Sequence, residues 1–557
     1  MKYLSKDAGL EISDLRVAAV LLFAILNIAA FLLRLVSVWH YGSLFNTTGC
    51  EAIVTYPIWK AVHHLPVYAW PLSYPFSLTL YNYLFYESYA FFLRMAGVTG
   101  SGILAWGRSL TLAFAILGAI AQWKLVQHYL NLRGLRSALS LVFALGLWSC
   151  TSFVRGWPLT VRPDMAAVAL VMVALCTIVR QPRFAFAYAG GLFYLAWSFK
   201  QSVILAFVGV CLFLLFHKRW RDLFVLAAVF AALTSATLLL STPEYRFSVL
   251  VAPVLVKEFT FGHAVSEGER AVIENAYWIL APIALLLATG ARRLDHTLRM
   301  LSTVFLVALL GGLAGMSKNG GTANYLLESF VAGSALLQIA VFTAPGRLVT
   351  ALVLFGCAQP AIEVAAVPSG VHFPHNSMMV GIATADEYAD AVALRDRLAT
   401  MKKPIFTTDD MFSLPWYSND NRAPALAIDL RFHDATRVSC QNGCVEGMLQ
   451  RGEIPTVMLP SAASSTETCI PGNSSAPSAW TRNASRLSSL WTKLQNEISG
   501  DSTQPNCFYS ATTSDDIYRR SLNPNYEKVG EARYLDAMWS IYTFNPQAPS
   551  PDASKKQ

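Results

Sequence analysis

Charge is what this 557-residue chain has least of: Asp, Glu, Lys and Arg together make up 14% of it, against 54% hydrophobic residues. A water-soluble globule of this length cannot be packed from that composition, so a soluble form is excluded and a polytopic membrane protein is indicated. The first apolar run, Val17 to Val38, lacks a small-residue cleavage pattern and is followed by many similar runs, so it reads as a retained span. Convincing internal repeats are missing as well, which argues against a transporter built from inverted halves. Among the nine cysteines there is no Cys-x-x-Cys pair, which places structural zinc well behind disulfides.

What is present is a series of apolar runs. After the first, others begin near Leu110, Ala138, Met165, Phe184, Ser202, Leu223, Tyr277, Leu301, Tyr325 and Leu348, roughly eleven spans by the twenty-residue criterion. The stretch from Tyr74 to Leu93 is rich in Tyr and Phe but interrupted by Glu87. It suits an amphipathic helix lying in the interface and is left out of the count.

Basic residues orient the chain. Lys2, Lys6 and Arg16 precede the first span, and Lys124, Arg133 and Arg136, then Arg180 and Arg183, then Lys218, Arg219 and Arg221, then Arg292, Arg293 and Arg299, then Arg347 fill every second loop. The positive-inside bias places the N-terminus in the cytoplasm and sends the loops holding Glu51 and Arg162-Pro163-Asp164, with the whole C-terminal region, outside.

After Val367 the composition turns polar, which divides the chain into a transmembrane domain (1–367) and an extracytoplasmic domain (368–557), with 39–105 as a first external loop containing interfacial helices. In the second domain Asp386 to Met401 has helical spacing. Pro404–Thr408, Ala425–Ile428, Thr456–Leu459 and Trp539–Phe544 read as short apolar strands, an α/β arrangement. Ser461 to Ser478 is rich in Ser, Pro and Ala and reads as a loop. Cys440, Cys444, Cys469 and Cys507 are an even set in an oxidising compartment and therefore disulfide candidates, while Cys176, Cys211 and Cys357 are core filler.

Cations on the outer side violate the charge bias and ask for a reason. Arg155, Arg162, Lys200, Lys257 and Lys318 fall in or beside external loops, and Arg34 and Arg108 near the external ends of their spans. Together they suit an anionic head group, such as a lipid-linked phosphate arriving sideways from the bilayer; singly, each also fits a side chain snorkelling to lipid phosphates. Glu51, Asp164, Glu328 and Glu363 are expected at the same face, Glu328 one turn after Asn324. A carboxylate there can take a proton from an incoming hydroxyl while the cations hold the charge developing on a departing phosphate. For Asp164, capping the helix that starts at Met165 is an equally good reading.

These residues resemble a known family. Glu51-Ala52, with Pro66, Tyr68 and Tyr74-Pro75 downstream, looks like the first external loop of the GT-C superfamily of membrane glycosyltransferases, in the branch of the aminoarabinose and galacturonic acid transferases of lipid A and the protein O-mannosyltransferases. Arg108 in Trp-Gly-Arg-Ser-Leu, Val161 to Met165, Phe199-Lys200-Gln201-Ser202 and Gly320 to Tyr325 leading to Glu328 continue the likeness across the membrane region. The resemblance implies a polytopic α-helical GT-C-like fold with a C-terminal α/β domain, a polyprenyl-phosphate sugar donor and a hydroxyl acceptor, a lipid, glycan or protein. It implies catalytic roles for Glu51 and Asp164, donor-phosphate contacts from Arg162, Lys200, Arg108 and Lys318, and a substrate pocket with Tyr68, Asn324, Tyr325 and Glu328. Cys50 and Asn46 stand where a neighbouring carboxylate is found in branches with paired acids. The one cofactor left open is a divalent ion, to which His63, His64 or His263 would be added. Whether the transferred unit is a hexosyl or pentosyl group is not readable. No nucleic-acid partner is expected, and a bacterial inner membrane with the second domain in the periplasm is the expected location. A flippase for the lipid-linked sugar would need the cations but no base, and a non-catalytic envelope-assembly subunit is a further alternative.

Overall fold

The computed structural model describes residues 14–41, 44–45, 51–70, 79–100, 102–150, 156–255, 276–289, 294–316, 323–343, 347–366, 385–407, 425–426, 444–461, 518–534 and 537–547. The membrane part is α1 (Asp14–Tyr41), α2 (Glu51–Val62), α3 (Tyr83–Met95), α4 (Gly102–Leu130), α5 (Gly134–Trp148), α6 (Asp164–Arg180), α7 (Ala185–Phe199), α8 (Leu205–Phe216), α9 (Trp220–Leu240), α10 (Ala276–Thr289), α11 (His296–Met316), α12 (Leu327–Thr343), α13 (Arg347–Phe355) and α14 (Ala358–Ala366). All eleven apolar runs read from the sequence fall on helices. Among the described residues, five stretches are long and apolar enough to cross a bilayer: Leu15–His40, Gly102–Leu130, Trp220–Leu240, His296–Met316 and Asn324–Thr343. Others fall on shorter apolar helices, among them Gly134–Trp148, Ala185–Phe199 and Leu205–Phe216.

Burial separates centre from periphery. The apolar window of Asn324–Thr343 is 94% buried and that of Trp220–Leu240 only 11%, so α12 is the axis of the bundle and α9 its most lipid-facing wall. A polar cluster pins α12 to α4 and α5: Gln122 Nε2 donates to Gln338 Oε1 at 2.7 Å, Gln338 Nε2 to Ser140 O at 2.7 Å, and Trp148 Nε1 and Ser334 Oγ each to Gln122 Oε1 at 2.8 Å. Deep in an apolar medium such amides hold helices together because their alternative is an unmade hydrogen bond.

Beyond α14 come α15 (Ala385–Ala399), β1 (Ile405–Thr407), β2 (Ala425–Leu426), α16 (Cys444–Gln450), β3 (Thr456–Pro460), β4 (Tyr526–Tyr534) and β5 (Ala537–Phe544). The sheet runs β2-β1-β3-β5-β4, parallel among β2, β1 and β3 and antiparallel at β3/β5 and β5/β4. Period-two alternation splits its side chains. Ile405, Met458, Tyr534, Trp539 and Ile541 join one core with Ala391, Leu394 and Leu398 of α15, and Phe406, Val457, Leu459 and Tyr526 join another with Val445 and Leu449 of α16. Four of the strands were expected. The fifth, β4, was not, because its inner stretch alternates charged and exposed residues in the manner of a sheet edge.

Candidate active site

One end of the bundle gathers the charged residues. Loop 156–163 enters α6 through a short 3-10 turn, Trp157–Leu159, and Pro163 stands just ahead of the helix. Asp164 therefore lies in the first turn of α6, and its carboxylate faces neighbouring helices instead of capping its own. Oδ1 accepts from Lys200 Nζ at 2.5 Å and from Asn324 Nδ2 at 3.3 Å, and Oδ2 from Arg162 Nε at 3.1 Å. Arg162 also donates through Nη2 to Tyr81 Oη at 2.8 Å, and its guanidinium lies 4.5 Å from the centre of the Trp157 ring. Lys200 Nζ sits 5.6 Å from the Tyr325 ring centre. Every member is buried: Asp164 is 1% exposed and Arg162 and Lys200 4% each.

Beside this triad is a cavity of about 10 Å3 lined by Asp164, Val168, Ser202, Val203, Asn324, Tyr325, Leu327 and Glu328. That is room for about one water molecule. Glu328 opens α12 and accepts the backbone N–H of Ala206 at 2.7 Å, so the carboxylate satisfies an amide in the first turn of α8. Close approach of α11 helps shape the cavity wall: a Cβ on Gly312 would stand 2.6 Å from the Tyr325 carbonyl oxygen.

Glu51 makes a second ion pair one layer away. At the start of α2 and fully buried, it is gripped by Arg108, with Nε to Oε1 at 2.9 Å and Nη2 to Oε2 at 2.7 Å, and Oε1 also accepts the backbone N–H of Val161 at 2.7 Å. Gly107 permits this: a Cβ there would meet Val161 Cγ2 at 2.9 Å. Arg108, expected on a donor phosphate, is thus committed to Glu51 and to the Phe45 carbonyl at 2.6 Å. Because Val161 adjoins Arg162, the two ion pairs share one backbone segment.

A groove of about 730 Å3 opens next to the triad, between the loop after α2, the start of α3, α7 and the lipid-facing α9. Tyr68, Tyr83, Tyr194 and Tyr245 line it with Leu233, Thr237, Leu240 and Ser241, and His64 and Glu87 mark its polar rim. The phenols are fixed: Tyr83 and Tyr194 hydroxyls are 3.0 Å apart, Tyr194 is 2.6 Å from Thr237 Oγ1, and Tyr245 donates to Asn82 Oδ1 at 2.6 Å. Tyr68 donates to the Tyr81 carbonyl at 2.7 Å, and burial pushes its phenol well above the usual value. Tyr81 bridges groove wall and triad, its carbonyl accepting from Tyr68 and its hydroxyl from Arg162.

The geometry therefore brings together Arg162, Asp164, Lys200, Asn324, Tyr325 and Glu328, with Tyr68 in the adjoining groove and Glu51 and Arg108 behind. Sequence reasoning missed Tyr81, Trp157, Tyr83, Tyr194 and Tyr245; Tyr81 and Tyr83 lie in the aromatic stretch assigned to the interface, and the other three carried no signal of their own. Lys318, His263, Cys440, Cys469 and Cys507 lie outside the described residues, as do Arg155 and Lys257. Cys444 begins α16. His63 is engaged with Trp59, its Nδ1 2.8 Å from that carbonyl, and His64 is exposed on the groove rim. Among the described residues no three His, Cys, Asp or Glu side chains converge on a metal-sized point.

No protein-family model matches the chain, and no curated protein matches its sequence. Solved structures do. The crystal structure of ArnT from Cupriavidus metallidurans bound to undecaprenyl phosphate is 11% identical and superposes with a TM-score of 0.54, covering 95% of this chain and 98% of that one. The apo form of the same protein (13% identity, TM-score 0.48, 78% and 93% covered) and the apo Archaeoglobus fulgidus oligosaccharyltransferase (10%, 0.46, 94% and 88%) are more distant. The likeness shows a shared fold, that of the ArnT structure, here a polytopic apolar helical bundle followed by a small sheet.

Proposed function

We propose that this chain is a glycosyltransferase that moves a sugar from a polyprenyl phosphate to a hydroxyl on an extracytoplasmic acceptor. The observation that carries the reading is the buried Arg162–Asp164–Lys200 triad, linked by hydrogen bonds through Tyr81 and Tyr68 to an aromatic groove whose outer wall is the lipid-facing helix α9. The groove, about 730 Å3 against about 10 Å3 for the cavity beside the triad, is the one of the two with room for part of a prenyl chain. The ArnT structure of the same fold holds undecaprenyl phosphate, which supports a lipid of that kind here.

In the transfer, the acceptor oxygen bonds to the anomeric carbon of the sugar as that carbon's bond to the phosphate oxygen breaks. The acceptor proton goes to a carboxylate, and the polyprenyl phosphate leaves with the electron pair. Arg162 and Lys200 hold the growing phosphate charge, Arg162 kept in plane by Trp157 and Tyr81. Asp164 holds both cations in place and already faces the cavity. Glu51 reaches substrate only when its pair with Arg108 opens. Because the cavity beside the triad admits only a water-sized group, substrate binding separates α6 from the 323–326 turn. We place the site at the periplasmic face of a bacterial inner membrane, with the N-terminus in the cytoplasm.

The test is mass spectrometry of lipid-linked sugars and envelope glycans in host cells lacking the protein and complemented with wild type, Glu51→Gln or Asp164→Asn. Wild type consumes a polyprenyl-phosphate sugar and adds its mass to one glycan. If the glycan profile is unchanged by deletion, the transferase reading fails. A well-expressed Glu51→Gln that works like wild type removes Glu51 as base and moves the flippase or assembly-subunit reading ahead, consistent with that acid's complete burial in an ion pair.

A further inference from the structure

The external sheet touches the membrane bundle at the residues that hold the Glu51 ion pair. Tyr534, the last residue of β4 and fully buried, donates from Oη to the Leu44 carbonyl at 2.8 Å, and its ring lies 5.6 Å from that of Phe45 at an interplanar angle of 35°. The Phe45 carbonyl accepts from Arg108 Nη2 at 2.6 Å, and the same nitrogen donates to Glu51 Oε2 at 2.7 Å. Glu51 Oε1 takes the Val161 N–H at 2.7 Å, one residue before Arg162. A short chain of contacts thus runs from the soluble domain to the triad, spanning 490 positions of sequence at its first step.

We infer that Tyr534 is a positioning residue that couples docking of the external domain to the site: seated on Leu44 and Phe45, it keeps the Phe45 carbonyl on Arg108, and so keeps Arg108 on Glu51. Two features argue that this is more than packing. Leu44 and Phe45 are buried, and the Phe45 carbonyl is a distinct third anchor for a guanidinium that already holds a carboxylate bidentately. Removing that anchor leaves a buried N–H to be satisfied elsewhere, which rotates the guanidinium and loosens its grip on Glu51. An acceptor held by the external domain would then alter Glu51 through this dipeptide, a consequence that rests on the transferase reading, whereas the coupling itself does not.

The test is hydrogen–deuterium exchange of the full chain in lipid nanodiscs, comparing wild type, Tyr534→Phe and Tyr526→Phe. The two substitutions are matched. Each removes a phenol-to-carbonyl bond from β4, Tyr526 giving its own to Ile454 O at 2.6 Å inside the domain, far from the dipeptide. Tyr534→Phe should speed exchange in peptides covering 51–62 and 156–164 by roughly two- to tenfold, the factor for losing one intramolecular hydrogen bond. Tyr526→Phe should leave those peptides unchanged. Equal effects of the two variants, or an effect of Tyr534→Phe confined to β4 and β5, would overturn the coupling. Absence of transfer activity would instead count against the proposed function and leave the exchange result standing.

Discussion

Replacing Asp164 by Asn keeps its shape and removes one charge from a cluster of two cations and one acid. The wild-type cluster sums to one positive charge and the variant to two, all with under 5% exposure. Removing one partner of a buried ion pair costs about 3–5 kcal/mol, because the other charge stays behind without compensation. Asp164 serves two cations, at 2.5 and 3.1 Å, so the upper half of that range is expected. The double variant Asp164→Asn/Lys200→Met returns the cluster to a single positive charge, with Arg162 still held by Tyr81 and Trp157. It should recover about 0.5–3 kcal/mol of the loss, the usual coupling between contacting residues. Unfolding by SDS titration in mixed micelles, followed by tryptophan fluorescence, measures both. Transfer should be absent in each, which separates holding the fold from doing the chemistry. A single variant within 1 kcal/mol of wild type, or a double variant no more stable than the single, would refute the reasoning.

Four further outcomes follow from the geometry. Glu51→Gln leaves Arg108 buried with a neutral partner and should lower stability by about 2–5 kcal/mol, and Glu51→Gln/Arg108→Met should be closer to wild type in the same titration. Gln338→Leu breaks contacts to both Gln122 and Ser140 and should cost roughly 1–2 kcal/mol without changing donor KM. Thr237→Trp, which fills the groove beside Tyr194, should raise KM for long-chain prenyl-phosphate donors while sparing short-chain ones; equal KM changes for both would place the chain elsewhere. Lys60, on α2, is pushed down from 10.5 to about 8 by burial. A neutral form favoured in the folded state means that the unfolded chain binds more protons between those values. Stability should therefore rise from pH 8 towards 10.5, and Lys60→Met should flatten that rise in unfolding titrations.

Which parts of this molecule could be read from its sequence has a physical pattern. Arg162, Asp164 and Lys200 were legible because charge at a membrane-helix end is costly and stands out against an apolar background. The pairing of Arg108 with Glu51 was not, since a contact across 57 positions depends on how α4 packs against α2, and Gly107 carries that information only once the neighbour is known. Tyr81 and Trp157 were hidden for the opposite reason: aromatic residues are common at membrane interfaces, so their composition does not distinguish a belt from a binding wall. In the C-terminal part of the chain the buried strands β1 and β3 announced themselves by apolar runs. Strand β4, with Glu527, Lys528, Glu531 and Arg533 along it, reads as a polar loop until its partner β5 is in place.

The most direct test of the central claim uses the purified chain in nanodiscs, a polyprenyl-phosphate sugar drawn from the host's own lipid fraction, and detection of released polyprenyl phosphate. Wild type should release it in step with sugar appearing on an acceptor, and Lys200→Met, shown by the unfolding titration to be folded, should release none. Release that persists undiminished in Lys200→Met, or movement of the intact lipid-linked sugar across the bilayer with no bond broken, would contradict the account.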